Sequence, residues 1–289
     1  MACGDVLSEP GQYVLPQNLS CGGQGIKITA SRVHLNMSGY ALGPGIGPAI
    51  LIQSALGCGE EGPTDVHINN GTITGYNNAA ISLCNADSNH INAMVLTDRV
   101  TGVQLNQGSD DNDINGNYVS GNKYGLLILN GSNRNRFNTN VCNSNVDPFN
   151  VNGHSGCVFV TGAEIASSNN VISSNEMTGN GLFGVEIGRG IGNTIRGNTI
   201  TETLRSNIGT GVRLVTLAQN NIVRSNTTTN NRLGITLQDG SGNLVQSNTA
   251  QFNTNFDLKE TTPASGQTPC TVNTWKSNTF DTANEPCIK

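Results

Sequence analysis

Short apolar segments separated by turn residues recur along most of the chain, and a repeated asparagine motif marks their period. The motif reads Asn, any residue, an apolar residue, two further residues and Asn, and most copies begin 22 to 23 residues apart. Its six copies occupy residues 112–117, 135–140, 170–175, 193–198, 221–226 and 243–248. Each unit holds three short apolar segments, and none of them can bury its apolar face alone. Such a repeat predicts a parallel β-helix whose coils stack at about 4.8 Å.

The second asparagine of each motif falls at a tight bend between two predicted strands. An inward Asn at a bend can satisfy backbone groups there and can also hydrogen-bond to the equivalent Asn of the next coil. The six positions are Asn117, Asn140, Asn175, Asn198, Asn226 and Asn248. We therefore expect a structural asparagine ladder along the solenoid.

Two of the predicted coils carry insertions, at residues 141–156 and 201–210. Both leave the repeat after its second strand, so we expect them to project from one edge of the solenoid. They would then border a groove over the uninterrupted coil that lies between them. Long loops on a rigid scaffold often carry function.

We expect residues 1–289 to form a single domain. Residues 1–24 are predicted to be an N-terminal cap, residues 25–260 the coils, and residues 261–289 a last partial coil with a C-terminal cap. Caps are expected because the open ends of a solenoid expose an apolar interior and an unpaired strand edge.

Cysteine positions favour disulfides in an oxidising compartment. The chain has eight cysteines and no Cys-x-x-Cys pair typical of metal sites. Sequence allows many connectivities; we favour neighbouring pairs, because each would close a cap or an insertion. The predicted pairs are Cys3–Cys21, Cys58–Cys84, Cys142–Cys157 and Cys270–Cys287. We interpret Met1 as an addition before a mature N-terminus, and expect a secreted or periplasmic protein.

Composition narrows the classes of partner. Charged residues make up 12% of the chain, the net charge is −5, and no basic stripe is present, so nothing indicates nucleic-acid binding. Aromatic residues make up only 4%, which argues against a broad sugar-stacking platform. No apolar run is long enough to span a membrane.

Over nearly its whole length the chain resembles secreted bacterial right-handed parallel β-helix repeat proteins of the pectate-lyase-like superfamily. The segments that carry the resemblance are Cys-Gly-Asp at 3–5, Pro-Gly-Gln-Tyr-Val-Leu at 10–15, Leu-Ser-Cys at 19–21, Gly-Ile-Lys-Ile-Thr-Ala at 25–30 and Val-His-Leu-Asn at 33–36. The resemblance implies an all-β, single-stranded, right-handed parallel β-helix of about ten coils with disulfide-pinned caps. It leaves function open, because the superfamily includes lyases, hydrolases, epimerases, copper-processing proteins and structural surface proteins.

Equivalent positions on successive coils form columns, and one outward column contains several side chains that could act in catalysis or bind a ligand. It contains His34, His67, His90, Asp113 and Arg136. Adjacent coils would bring His90, Asp113 and Arg136 together as a proton acceptor, its orienting carboxylate and a cation for a uronate carboxylate, and we predict these three as catalytic. The alternative is a polar, solvent-facing stack in which Asp113 simply pairs with a neighbour.

The histidines of this column also allow a metal hypothesis. Imidazoles suit copper or zinc, so His34, His67 and His90 are a second interpretation. Side chains on consecutive coils lie in a line, however, which is a poor tetrahedral arrangement.

Four further residues are predicted to bind substrate. Asn115 and Asn138 stand beside the catalytic column, and Asp147 and His154 lie in the disulfide-bounded insertion. Asp147-Pro followed by His154 weakly resembles the Asp-Pro-His of mannuronan epimerases. The alternative is a loop without function that its own disulfide holds in place.

Two further pairs of charged residues have simpler explanations. The pair at 110–111 resembles the paired aspartates of polygalacturonases, but it occupies a turn that other coils also contain, and ordinary turn chemistry explains it. Glu186 and Arg213 share an outward column on adjacent coils, which we interpret as a surface ion pair.

Three functional interpretations follow. The first is a secreted carbohydrate-active enzyme, a lyase or C5-epimerase whose partner is an acidic polysaccharide. The second is a non-catalytic extracellular scaffold, and the third is a periplasmic copper-handling protein. We expect no required cofactor, leave Ca²⁺ open as an added ion, and make no prediction about oligomeric state.

Overall fold

Parallel β-strands account for all regular elements that the computed structural model describes, which covers residues 1–98, 100–147, 153–162, 164–203, 209–261 and 268–289. One sheet has eleven strands, which we call the eleven-stranded sheet. Its strands are β1 (Val6–Leu7), β3 (Ile26–Ile28), β6 (Ile50–Ile52), β8 (Ala79–Cys84), β10 (Thr101–Asn106), β13 (Tyr124–Ile128), β16 (Gly156–Val160), β19 (Phe183–Gly188), β22 (Thr210–Val215), β25 (Leu233–Gln238) and β28 (Phe256–Thr261).

The other strands form two ribbons that are joined where single long strands, β7 and β9, run through both. The first ribbon contains β2 (Gly11–Val14), β4 (Val33–Asn36), β7 (His67–Thr74), β9 (His90–Thr97), β11 (Asp113–Asn115), β14 (Arg136–Asn138), β17 (Val171–Ser173), β20 (Thr194–Arg196), β23 (Ile222–Arg224), β26 (Leu244–Gln246) and β29 (Thr274–Lys276). The second ribbon contains β5 (Ala41–Leu42), the ends of β7 and β9, then β12 (Tyr118–Ser120), β15 (Val141–Asn143), β18 (Glu176–Thr178), β21 (Thr199–Thr201), β24 (Thr227–Thr229), β27 (Thr249–Gln251) and β30 (Thr279–Phe280).

Each coil therefore has three faces, and one apolar residue from each face fills the interior. In one coil these residues are Ile114, Val119 and Leu126, all fully buried. Burying the inward side chains of successive coils against one another creates a continuous core that no single coil could form. The predicted parallel β-helix is confirmed.

Asparagine ladders run along the corners between the faces. Asn117 illustrates the bonding: its Nδ2 donates to Asn140 Oδ1 at 3.0 Å and to the Ile91 carbonyl at 3.0 Å. Asn140 repeats the pattern with Asn175 one coil later. Every polar atom of such an amide has a partner, which is what burial requires. The predicted ladder is confirmed.

Two more ladders accompany it. One is built from the leading asparagines of the motif, for which no ladder was predicted: Asn112 donates to Asn135 at 3.0 Å. The other lies at the corner before the eleven-stranded sheet, where Asn122 donates to Asn145 at 3.2 Å. In this third ladder Thr203 replaces one asparagine, and its buried hydroxyl has no hydrogen-bond partner among the described residues.

All four predicted disulfides are present: Cys3–Cys21, Cys58–Cys84, Cys142–Cys157 and Cys270–Cys287. The first and last lie near the two termini, and the third closes an insertion. Strand pairing already begins within residues 1–24, because β1 pairs with β3 and β2 pairs with β4. Across the described ranges, no helix is long and apolar enough to cross a membrane.

Candidate functional site

The two insertions leave the solenoid at the same corner, on either side of β19. One connects β15, which ends at Asn143, to β16, and the other connects β21 to β22. Residues 148–152 and 204–208 of these insertions lie outside the described residues. The connection from β18 to β19 between them carries no insertion. The strand β19 therefore belongs to a coil that lies between the two coils with insertions.

A chain of polar side chains crosses this face over four successive coils. The hydroxyl of Tyr124 on β13 lies 3.1 Å from His154 Nδ1, and His154 Nε2 lies 3.0 Å from Glu186 Oε1 on β19. Arg213 Nη1 on β22 donates to the other oxygen, Glu186 Oε2, at 3.2 Å. We call these four residues the polar chain. His154 belongs to the end of the first insertion and reaches over β16 to join groups that the strands hold.

The imidazole of His154 is held on its apolar sides by aromatic rings. Its ring centroid lies 4.6 Å from Phe159 in an edge contact and 4.9 Å from Phe183. Gly156 stands between Tyr124 and Phe183 in the same column. A Cβ atom at Gly156 would lie 2.3 Å from both the ring and the backbone carbonyl oxygen of Phe183. The absence of a side chain at 156 is what allows the Phe183 ring to lie beside the histidine.

Exposure falls from the histidine toward the carboxylate. The His154 side chain is 37% exposed, Arg213 is 21% exposed and Glu186 is only 5% exposed. Glu186 points outward from its strand, and it is buried because His154 and Arg213 cover it. The predicted Glu186–Arg213 ion pair is present, but it is not a surface pair.

A second ion pair borders the polar chain. Lys123 Nζ lies 3.2 Å from Asp147 Oδ2, and Asp147 is largely buried. Lys123 Nζ also lies 5.5 Å from the centre of the Tyr124 ring. Burial, reinforced by the negative charges of Glu186 and Asp147, raises the pKa of Tyr124 to about 12. The phenol is therefore protonated in the free protein at neutral pH.

The hydrogen bonds assign distinct roles to the two imidazole nitrogens. A carboxylate only accepts hydrogen bonds, so Glu186 fixes the proton of neutral His154 on Nε2. Nδ1 then has a free lone pair and accepts from Tyr124. This arrangement places a proton acceptor and a proton donor 3.1 Å apart and orients the acceptor with a buried anion, which is the arrangement that general acid–base chemistry needs.

The surface next to the polar chain is concave. A cavity of about 220 Å³ is lined by Phe159, Thr161, Glu186 and Val215, among others. A smaller cavity of about 90 Å³ lies beside Arg213 and extends to Thr236 and Lys259 on the following coils. Together the two cavities extend the concave surface next to the polar chain along the solenoid axis.

The structure places His90, Asp113 and Arg136 in register on adjacent coils of the first ribbon, as predicted. Among the described residues, Asp113 has neither an ion pair nor a hydrogen bond with His90 or Arg136; its Oδ1 accepts from Asn138 Nδ2 at 3.2 Å. Arg136 is exposed. Asn115 pairs in register with Asn138. These three residues therefore remain a predicted catalytic group. They lie on a different sheet from the strands that carry Tyr124, Glu186 and Arg213.

The histidine column forms a stack of rings. The centroids of His34 and His67 are 4.4 Å apart, and those of His67 and His90 are 4.5 Å apart. His67 lies 2.9 Å from Asp65 Oδ1, and this hydrogen bond lowers the pKa of Asp65. Because ring nitrogens bind metals in the ring plane, stacked rings direct their nitrogens side by side rather than toward one point. No group of three or more His, Cys, Asp or Glu in the described part of the chain is arranged to hold a metal ion.

The aspartates at 110–111 are held by Arg134 of the next coil. Its guanidinium lies 3.0 Å from Asp110 and 2.8 Å from Asp111. These contacts agree with the interpretation of this pair as part of a turn.

Sequence reasoning missed Lys123, Tyr124, Phe159 and Phe183. One signal was available: in a chain with 4% aromatic residues, three of them fall at outward third-strand positions of consecutive coils. Asp147 and His154 were predicted to bind substrate, and the structure brings both to this cluster. No sequence signal links them to Glu186, because the link depends on how the insertion folds back.

Comparisons with known proteins agree on the architecture. Residues 149–289 match the family model described as the right-handed β-helix region, and no curated protein sequence matches the chain. A double mutant of a periplasmic alginate epimerase superposes with a TM-score of 0.62 at 12% identity, covering 96% of this chain and 75% of that chain.

Two further solved structures are similar over almost the whole chain. The A-module of a mannuronan C-5 epimerase from Azotobacter vinelandii gives a TM-score of 0.61 at 14% identity, covering 99% and 89% of the two chains. DFA-IIIase from Arthrobacter chlorophenolicus A6, in complex with GF2, gives a TM-score of 0.60 at 13% identity, covering 96% of this chain and 86% of that chain. The protein is therefore a right-handed parallel β-helix protein.

Proposed function

We propose that the protein is a carbohydrate-active enzyme that acts on an acidic polysaccharide, by lyase or C5-epimerase chemistry, at the polar chain. The observation that carries this proposal is the position of His154, held between a phenol and a buried carboxylate at 3.1 and 3.0 Å. A partly exposed histidine whose two nitrogens contact a phenol and a buried carboxylate is equipped for proton transfer.

The chemistry starts at C5 of a uronate residue, whose hydrogen is acidic because it neighbours the carboxylate. Once bound substrate has displaced the Tyr124 hydroxyl from His154 Nδ1, this nitrogen removes the proton, while Glu186 holds the opposite nitrogen and stabilises the imidazolium that forms. Tyr124 donates a proton. If the proton returns to C5 from the other face, the product is the C5 epimer. If it goes to O4, the C4–O4 bond breaks and an unsaturated uronate results.

Removal of the C5 proton places negative charge on the substrate carboxylate, so nearby cations are needed. Arg213 has guanidinium N–H groups beyond the one that binds Glu186, and Lys123 stands at the other end of the polar chain. The cavity beside Arg213 continues to Lys259. Asp147 and Glu186 already pair with Lys123 and Arg213, so the remaining N–H groups of these two cations, together with Lys259, would bind a polyanionic chain that lies along the solenoid axis.

The similar structures support the substrate class. Two of them are named as alginate or mannuronan epimerases, and both of those glycans are polyuronates. At 12–14% identity, the likeness concerns the fold, and the substrate assignment rests on the side chains described above. Oxidising conditions, which four disulfides need, agree with a secreted or periplasmic location.

The test is a panel of polyuronates incubated with the protein, with and without added Ca²⁺. Ultraviolet absorbance of the unsaturated product detects a lyase, and NMR of the glycan detects an epimerase. We expect Tyr124→Phe and His154→Gln each to lower the rate by roughly 10²- to 10⁴-fold, the usual contribution of one general acid or base.

His90→Ala is the matched control, because it removes a partly exposed histidine of the first ribbon. Loss of activity in His90→Ala with retention in His154→Gln would move the centre to His90, Asp113 and Arg136. Absence of activity on every polyuronate of the panel would favour the non-catalytic scaffold.

A further inference from the structure

A third cavity, of about 730 Å³, lies at the corner that follows the eleven-stranded sheet. The polar chain spreads from the opposite corner, where the insertions emerge, so a strand length separates the two regions. The volume falls within the usual range of small-ligand sites. None of its lining residues belongs to the polar chain or to the histidine column.

Two loops form its walls. On one side, Cys58 and Gly59 belong to a loop that the Cys58–Cys84 disulfide ties to β8. On the other side, Glu164 and Ile165 follow β16. The cavity therefore spans the coils between a covalently fixed loop and a second loop several coils away.

Glycines keep the floor of this cavity open. Gly108 and Gly131 occupy the same corner on adjacent coils, and both have φ near +78°. Residues with a Cβ rarely adopt this left-handed conformation. A Cβ at Gly131 would also lie 2.9 Å from Ile165, so the glycine permits this wall to approach the floor.

Carboxamides supply the polar groups of the floor. Asn85, Gln107 and Asn130 line it on successive coils, about 4.8 Å apart. Asn130 donates to Asn106 at 3.0 Å. Within the described ranges, the Asn85 and Gln107 amides have no hydrogen-bond donor or acceptor partner: Gln107 Oε1 lies 3.5 Å from Cys84 Sγ, a disulfide sulfur that carries no proton.

The charges of the cavity differ from those around the polar chain. Among the described residues that line the cavity, Glu164 is the only charged one, whereas the region of the polar chain holds two cations, Lys123 and Arg213, each paired with a carboxylate. An amide offers both a donor and an acceptor, which matches hydroxyl groups. The disulfide and Ile165 add apolar contacts for C–H surfaces. We propose that this cavity binds a neutral oligosaccharide, independently of chemistry at the polar chain.

Calorimetric titration of the intact protein tests the proposal, with cellohexaose, maltohexaose and mannohexaose as neutral probes and a hexauronate as the acidic contrast. We expect at least one neutral hexaose to bind. The double variant Asn85→Ala/Gln107→Ala should weaken that binding roughly tenfold or more, because it removes two hydrogen-bonding groups. These amides lack partners in the fold, so the variant should keep the wild-type melting temperature.

Gln246→Ala is the matched control, since it removes a carboxamide from an outward position of the first ribbon. It should leave neutral binding unchanged. Absence of binding by all three neutral hexaoses at millimolar concentration would overturn the proposal. So would neutral binding that the double variant does not weaken, or a hexauronate whose binding the double variant does weaken. A protein without activity on polyuronates would leave this proposal standing.

Discussion

Replacing Asn175 by Ala should destabilise the solenoid by about 3–5 kcal/mol, because it removes four hydrogen bonds and leaves buried groups unpaired. Asn175 is 2% exposed. Its Oδ1 accepts from the backbone N–H and from Nδ2 of Asn140 at 2.9 and 3.1 Å. Its Nδ2 donates to the Phe137 carbonyl and to Asn198 Oδ1, both at 2.9 Å. The Asn140 N–H would lose its acceptor, and an orphaned buried donor alone costs about 1–3 kcal/mol.

The assay is urea unfolding of the disulfide-intact protein, compared with that of the variant. Asn138→Ala is the matched control, since it removes a single hydrogen bond, to Asp113, from an outward position of the preceding coil. The control should cost about 1 kcal/mol or less. An Asn175→Ala variant that unfolds within about 0.5 kcal/mol of the wild type, the range of ordinary surface substitutions, would refute the structural role of the ladder.

Three further predictions concern the core and the site. Thr228→Val should stabilise the protein by about 1–2 kcal/mol in urea unfolding, because the fully buried Thr228 hydroxyl has no partner within the described structure; equal or lower stability would contradict this. Burial raises the pKa of both Tyr124 and Tyr76 to about 12, so ultraviolet titration should find two phenols still protonated at pH 11. Since these folded pKa values exceed the ordinary value of 10, stability should fall as pH rises from about 10 to 12. Titration of both phenols near the ordinary value of 10 would contradict this prediction. Gly156→Ala should displace the Phe183 ring and reduce activity while the disulfides stay intact, and unchanged kinetics would rule out the packing described.

The fold could be predicted because the same sequence pattern recurs in successive coils of a solenoid. The period of the asparagine motif fixed the register, and the register correctly placed His90 beside Asp113 and Arg136. The third ladder was missed because Asn122 and its equivalents lie outside the six-residue motif, and because Thr203 interrupts the series.

The cluster around His154 was only partly predictable. The shared column of Glu186 and Arg213 follows from register, but the burial of Glu186 does not, because an outward strand position is exposed unless another segment covers it. That cover comes from the first insertion, whose path is not set by the repeat. The Cys142–Cys157 disulfide was predicted, but the direction in which it sends His154 was not.

Deuterium incorporation at C5 tests the central claim most directly. A polyuronate would be incubated with the protein in D₂O and its residues analysed by mass spectrometry. Removal of the C5 proton by His154, with return of a solvent-derived proton, predicts deuterated uronate with the wild type and with His90→Ala, and little or none with His154→Ala. Absence of both C5 exchange and unsaturated uronate with the wild type, or C5 exchange that His154→Ala leaves intact, would contradict the account.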